Sequence, residues 1–167
     1  MNMRSGDDAP TDEEVAIMKV IEYSTEIART PQEVFDYVAD AARLPEWQPS
    51  VEEASAEPPA IREVGMRGYE VRRVPGGRAK LRWRVTECEP GGRWAVEGID
   101  GPVRAHASIS LAASDGDGGD GTHVDYRIWF EGHGIGRLFK VMAGRGARTE
   151  VPESLALLKQ RLEGLGA

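Results

Sequence analysis

Between residues 51 and 133 the sequence alternates apolar and polar side chains with a period of two, and proline and glycine close each alternating run. A period of two marks a half-buried β-strand. The spacing predicts six strands, at 51–57, 66–74, 79–89, 93–99, 103–113 and 122–132. Their separators are Pro58-Pro59, Pro75-Gly76-Gly77, Pro90-Gly91-Gly92, Gly101-Pro102 and the stretch from Ser114 to Gly121. All of them are turn chemistry. Connections this short join neighbouring strands, so the segment reads as antiparallel hairpins in a meander.

Helical signals flank the meander. IMKVIEYSTEI, residues 17–27, is rich in β-branched and aromatic residues and predicts a further strand. In Thr30-Pro31-Gln32-Glu33, threonine caps a helix, proline takes its first position and glutamate completes a capping box. This first short helix is expected to end near Ala39, and a second, from Ala41 to Leu44, to stop at Pro45. Residues 136–164 form the last helix. Leu138, Met142, Arg145, Thr149, Leu155, Leu158, Leu162 and Leu165 recur near its 3.6-residue spacing. Gly144, Gly146 and Pro152 weaken it and predict a kink or break near 150–152, with a firm helix from 153.

Each strand has one apolar parity: Tyr69 and Val71; Leu81, Trp83 and Val85; Trp94 and Val96; Val103, Ala105, Ala107, Ile109 and Leu111; Val124, Tyr126, Ile128 and Phe130. The other parity is charged, which gives a sheet with one wet face and one covered face. One long helix cannot fill the covered side of so many strands. Ala105 and Ala107 lie among large aromatics, so a cavity is expected there, the usual form of a small-molecule site.

Charge and composition narrow the function. The 21 Lys+Arg against 28 Asp+Glu give −7, the wrong sign for a generic nucleic-acid binder. Residues 1–14 hold five acids and one arginine and read as a disordered acidic tail, leaving 15–167 as a single domain. A domain this long buries roughly 70% of its unfolded surface and needs no disulfide or metal. Cys88 stands alone, which excludes a disulfide framework. No apolar run reaches the roughly 18 residues of a membrane span. No apolar segment follows Arg4 as in a secretory signal, so a cytoplasmic location is expected.

The order strand, two short helices, six strands and long helix resembles the START-like or helix-grip (SRPBCC) superfamily, particularly its polyketide cyclase/dehydrase branch. The resemblance rests on IEYSTEIARTPQEVFDYVADAARLPEWQPSV (21–51), VGMRG (64–68) and SLALLKQRLE (154–163), and spans about 17–164. It implies an α+β helix-grip fold: a curved antiparallel sheet of about seven strands wrapped around a long C-terminal helix, enclosing a hydrophobic ligand cavity. It implies no one chemistry, since members include lipid carriers, cyclases, and hormone and coenzyme Q binders. Function must be argued from the site.

The ligand-binding candidates are Tyr69, Trp83, Trp94, Ala107, Tyr126, Phe130, Met142 and Arg145. The rings line a pocket or simply form core. The phenols of Tyr69 and Tyr126 also orient a ligand oxygen. Arg145 binds a carboxylate or carbonyl if its stripe faces inward, and otherwise reaches the rim. His106 falls on the wet parity, and His133 ends the last strand, where a general base for an aldol-type cyclisation would sit, or a solvated strand-end histidine. Asp115, Asp117 and Asp120 fail the calcium-loop pattern at Gly119 and Tyr126, and histidine spacing supports no zinc site, so neither metal nor cofactor is implied.

Residues 66–84 hold seven basic side chains against one acid. Such a face docks an acidic protein or an anionic membrane, or it is simply solvated, which is the commoner case; Trp129 on it fits a homodimer contact. The favoured reading is a binder of a lipid-, polyketide- or isoprenoid-type molecule. A cyclase, aromatase or dehydratase that works by positioning a poly-keto chain is the alternative. An interaction module using the basic face is the third.

Overall fold

The computed structural model describes residues 19–58, 62–115, 120–132 and 136–164; the acidic segment 1–14, Asp117, His133 and Leu165 lie outside them. The chain runs β1 (Ile21–Ile27), α1 (Pro31–Val38), a 3₁₀ turn (Ala41–Arg43), α2 (Leu44–Trp47), β2 (Val51–Glu57), β3 (Arg67–Val74), β4 (Gly77–Glu89), β5 (Arg93–Gly98), β6 (Val103–Ser114), β7 (Gly121–Gly132) and α3 (Gly136–Gly164). The strands form one antiparallel sheet in the order β1-β7-β6-β5-β4-β3-β2. This is the α+β arrangement expected from the alternation, a seven-stranded sheet with a long C-terminal helix. Its edges are β1 and β2, so the connection through α1, the turn and α2 crosses from one edge to the other.

The capping box before α1 forms. Glu33 N–H donates to Thr30 Oγ1 at 3.3 Å, and the Glu33 carboxylate accepts the Thr30 N–H at 2.9 Å. Val34, Phe35, Tyr37 and Val38 of this helix are buried. Pro45 starts a helix instead of stopping one. It lies in the first turn of α2, where its missing N–H has no partner to lose.

α3 is continuous through Pro152, not broken at 150–152. A proline at 152 leaves the carbonyl of residue 148 without its helical donor. The Tyr23 hydroxyl of β1 donates to that Arg148 carbonyl at 3.4 Å, so an outside group takes part of the lost role. The helix packs on β1, β7, β6 and α2. Its inward stripe is Ala147, Val151, Ser154, Leu155, Leu158 and Leu162. The stripe expected through Met142, Arg145 and Thr149 is out of phase, because Thr149 and Leu155 are six residues apart, not a whole number of turns. Met142 and Arg145 are exposed.

A second correction concerns β3. Cross-strand partners share a face of a sheet. Tyr69 pairs with Arg82 and Val71 with Lys80, whereas Gly68 pairs with Trp83, Glu70 with Leu81 and Arg72 with Ala79. Tyr69 and Val71 therefore face outward, and Glu70 and Arg72 face the core. Gly68 helps fix this register, because the Trp83 ring lies over it: a Cβ at 68 would come within 2.3 Å of the ring. Tyr69 instead gives its hydroxyl to Glu53 at 2.5 Å and lies under the Lys80 ammonium, 3.9 Å from the ring centre.

Two substitutions separate the contributions to α3. Leu158→Ala, at a fully buried position, is expected to cost about 2–5 kcal/mol in chemical denaturation. Tyr23→Phe, which removes only the hydroxyl, is expected to cost about 0.5–1.5 kcal/mol. It should also speed amide exchange in the helix around 148–152 without changing exchange in β4.

Candidate functional site

The inner face carries rows of side chains that run across the strands. One row is Trp83, Gly98, Ala105 and Phe130: Trp83 pairs with Gly98, Ala105 pairs with Phe130, and a Cβ on Gly98 would stand 3.3 Å from the Ala105 nitrogen. The next row is Val85, Val96, Ala107, Ile128 and Ile21. The third is Trp94, Ile109, Tyr126 and Tyr23. In the first row two aromatic residues flank a glycine and an alanine, so the row is short of bulk between them, and this stretch is termed the trough. Ala107 continues its floor. Gly98, Ala105, Ala107, Ile128 and Phe130 are only half-buried.

The trough ends in packed core. Trp83, Trp94 and Tyr126 are buried. Trp94 meets Phe35 edge to face at 6.1 Å, and Tyr126 meets Trp47 at 6.4 Å. The Nε1 atoms of Trp83 and Trp47 are buried and have no acceptor among the described residues. An unpaired buried donor is costly, and a ligand oxygen in reach would relieve it. A ligand cavity between the sheet and the C-terminal helix was expected here; Trp83, Trp94 and Tyr126 pack as core, while Ala105, Ala107, Ile128 and Phe130 beside them stay half-buried.

Beside that core sits a polar cluster that the parity argument missed. The Arg72 guanidinium donates to Glu70 at 2.9 Å, to Ser50 at 2.8 Å, to both Glu150 oxygens at 3.1 Å and to Gln48 at 2.6 Å. Ser50 gives its hydroxyl to Glu150 at 2.6 Å. Burial disfavours the Arg72 cation, but the Glu70 and Glu150 charges outweigh it and its pKa is raised. Burial also pushes the Tyr126 phenol up to about 12; Arg72 works against that shift, and Glu70 and Glu150 add to it. A neutral phenol and a fixed guanidinium at one end of an apolar surface can hold a ligand carbonyl or carboxylate.

Of the eight predicted residues, Trp83, Trp94, Ala107, Tyr126 and Phe130 share the inner face. Tyr69, Met142 and Arg145 do not join them: Tyr69 is outward by register, and the other two by helix phase. Reasoning from sequence missed Gln48, Ser50, Glu70, Arg72, Gly98 and Glu150. A signal was present in the opposite charges of Glu70 and Arg72, two residues apart and hence on one strand face.

Two clefts lie elsewhere. One of about 530 Å³ is lined by Arg29, Asp36, Tyr37, Asp40, Arg43 and Arg62; Arg62 pairs with Asp36 at 2.9 Å, Arg43 pairs with Asp40 at 3.5 Å, and Arg29 donates to the Leu162 carbonyl at 2.9 Å. The other, of about 230 Å³, runs between Pro49-Ser50 and Gly146, Thr149 and Glu150, so it opens onto the polar cluster. On the outer face the basic residues are largely matched: Arg82 with Asp100 at 2.7 Å, Arg127 with Glu22 at 2.9 Å, Arg78 with Glu52 at 2.7 Å, and Arg84 with Glu97. His106 stacks on Trp129 there at 5.1 Å. Cys88 gives its thiol to the Arg62 carbonyl, and burial raises its pKa, so it is a poor nucleophile.

Comparison with known proteins agrees with this fold. A family model described as "Polyketide cyclase / dehydrase and lipid transport" matches residues 18–163. An uncharacterized protein of Mycobacterium tuberculosis is 26% identical over 139 residues, 83% of this chain and 94% of that protein. Among solved structures, the Zhui aromatase/cyclase from Streptomyces sp. R1128 superposes with a TM-score of 0.72 at 13% identity, covering 87% of this chain and 94% of that one. A START superfamily protein from Mycobacterium smegmatis gives 0.65 at 16% identity, covering 87% and 98%. At such identities the likeness is one of fold.

Two measurements test the cluster. In a double-mutant cycle, Arg72→Met and Glu150→Gln should each cost about 1–3 kcal/mol and together cost less than the sum. Additive costs would mean that the two groups do not interact. In a spectrophotometric pH titration, the Tyr126 phenol should ionise only near pH 12, and Tyr126→Phe should remove that late step. Since the folded state holds this proton more tightly, the contribution to stability is complete below the ordinary tyrosine range near pH 10 and is lost as pH rises toward 12.

Proposed function

The chain belongs to the polyketide cyclase/dehydrase and lipid transport family, and from that premise we propose that it binds a hydrophobic small molecule along the inner face of its sheet. The apolar body lies over Gly98, Ala105 and Ala107 between Trp83 and Phe130. The polar end is oriented by the Trp83 indole N–H and by the Tyr126–Arg72 corner. The observation that carries this reading is that stretch of the inner face: apolar, half-buried, floored by residues without bulk, and next in register to an indole whose N–H has no partner among the described residues. Burial of apolar surface supplies affinity at about 25 cal/mol per Å², and the few polar groups supply orientation. A lipid, polyketide or isoprenoid with one oxygen-bearing end fits these groups.

A cyclisation role is the second reading, and one observation favours it. The Tyr126 phenol lies within the electrostatic reach of a fixed guanidinium. That pair would polarise a carbonyl of a folded poly-keto chain, with positioning as the main contribution to rate. The basic outer face is a weaker candidate for a partner, since its arginines are already matched by acids.

The experiment is to fill the trough. Native mass spectrometry of protein purified without detergent, together with titration by a fluorescent long-chain fatty acid and a fluorescent isoprenoid, should reveal a bound amphiphile. Ala105→Phe should weaken binding at least tenfold while leaving the melting temperature within a few degrees. Equal binding by Ala105→Phe and the parent, or no binding of either probe by the parent, overturns the reading.

A further inference from the structure

The first half of α3 is the part of the molecule whose surface the fold does not explain. Phe139, Val141 and Met142 are 51%, 58% and 49% exposed, half of the large hydrophobic residues found exposed among those described, and all within one helical turn. The same stretch, 136–149, holds Arg137, Lys140, Arg145 and Arg148 and no acid, in a chain of net charge −7. Among the described residues, Lys140, Arg145 and Arg148 make no ion pair, whereas Arg82, Arg84 and Arg127 of the outer sheet face each have one. Ala147 and Val151 turn toward the core, so Val141, Met142, Arg145 and Arg148 point away from it.

Exposed large apolar residues interleaved with unmatched cations on one helix are what an anionic bilayer surface recognises. The apolar side chains enter the boundary between headgroups and acyl chains, and the cations meet the lipid phosphates and carboxylates. A second copy of this chain fits poorly. Twofold pairing along this helix would set Lys140, Arg145 and Arg148 against their own copies, and one turn of apolar side chains offers far less than the roughly 800 Å² per partner of a stable dimer. We infer that residues 136–149 of α3 dock the protein on anionic membranes. The docking surface is separate from the trough and stands whether or not the trough holds a ligand.

The test is flotation of the full chain with vesicles of phosphatidylcholine alone and of phosphatidylcholine mixed with phosphatidylserine, at low and high salt. The protein should float with the anionic vesicles and be released by salt. Arg145→Glu/Arg148→Glu should weaken binding by well over the roughly fivefold expected per lost cation. Val141→Ser/Met142→Ser should weaken it independently of salt. Both pairs alter exposed positions, and unchanged circular dichroism and melting would show that the fold survives. Arg82→Glu/Arg84→Glu on the outer sheet face should bind like the parent, and so should Ala105→Phe, which separates failure of docking from failure of the trough. Three results would overturn the inference: no flotation with anionic vesicles, equal loss from the outer-face variant, or a solution dimer that Val141→Ser/Met142→Ser dissolves.

Discussion

The far strands of the sheet reach the helix through a polar cluster centred on one guanidinium. β1 and β7 grip α3 through apolar packing, but β3 reaches it through Arg72, which joins Glu70 on its own strand, Gln48 and Ser50 on the edge-crossing connection, and Glu150 on the helix. A half-buried cation is unfavourable alone and tolerable only when its donors are taken up. Here four neighbours take them up. That requirement also constrains the register of β3, because a slip by one residue would turn Arg72 and Glu70 out to water and set Tyr69 against the core. The pairing, the position of the crossing loop and the seat of the helix therefore depend on a single set of charges.

Much of this was legible in the chain before any coordinates. The strand runs are recovered almost residue for residue because their ends are marked by turn chemistry, as at Pro90-Gly91-Gly92, and glycines such as Gly91 adopt the positive φ that a tight turn requires. The capping box at Thr30 was legible for the same reason: its signal is local. What was not legible depends on partners far away in sequence. On β3 both parities carry residues of mixed character, and only the pairing of Gly68 with Trp83 decides between them. In α3 the phase was obscured by Gly144 and Gly146, which give no periodic signal. Pro152 reads as a breaker unless Tyr23, far upstream, is known to stand beside residue 148.

The inner face shows how ligand space arises in a fold with few layers. A row of the sheet simply lacks side chains where Gly98 and Ala105 stand between Trp83 and Phe130, and the helix packs on β1, β7 and β6. Large residues in that row would give an ordinary core. The outer face makes the opposite point. Its row of arginines is conspicuous in sequence, yet acids on neighbouring strands match most of them, so the residues that look most reactive when read linearly are the most quietly satisfied in space.

The proline inside α3 divides one continuous rod into two mechanical parts. The ladder of main-chain bonds lacks a rung between 148 and 152, at the boundary between a C-terminal half locked by Leu155, Leu158 and Leu162 and an N-terminal half that shows apolar and basic groups to solvent. The tip of the front half is nevertheless seated: Gly136 is buried so close to the Pro102 carbonyl that a Cβ there would come within 2.0 Å of it. The domain thus carries a rod clamped at three places, by glycine at its tip, by a tyrosine hydroxyl at the missing rung and by leucines behind it, so the groups it shows to solvent between tip and rung sit on a fixed mount.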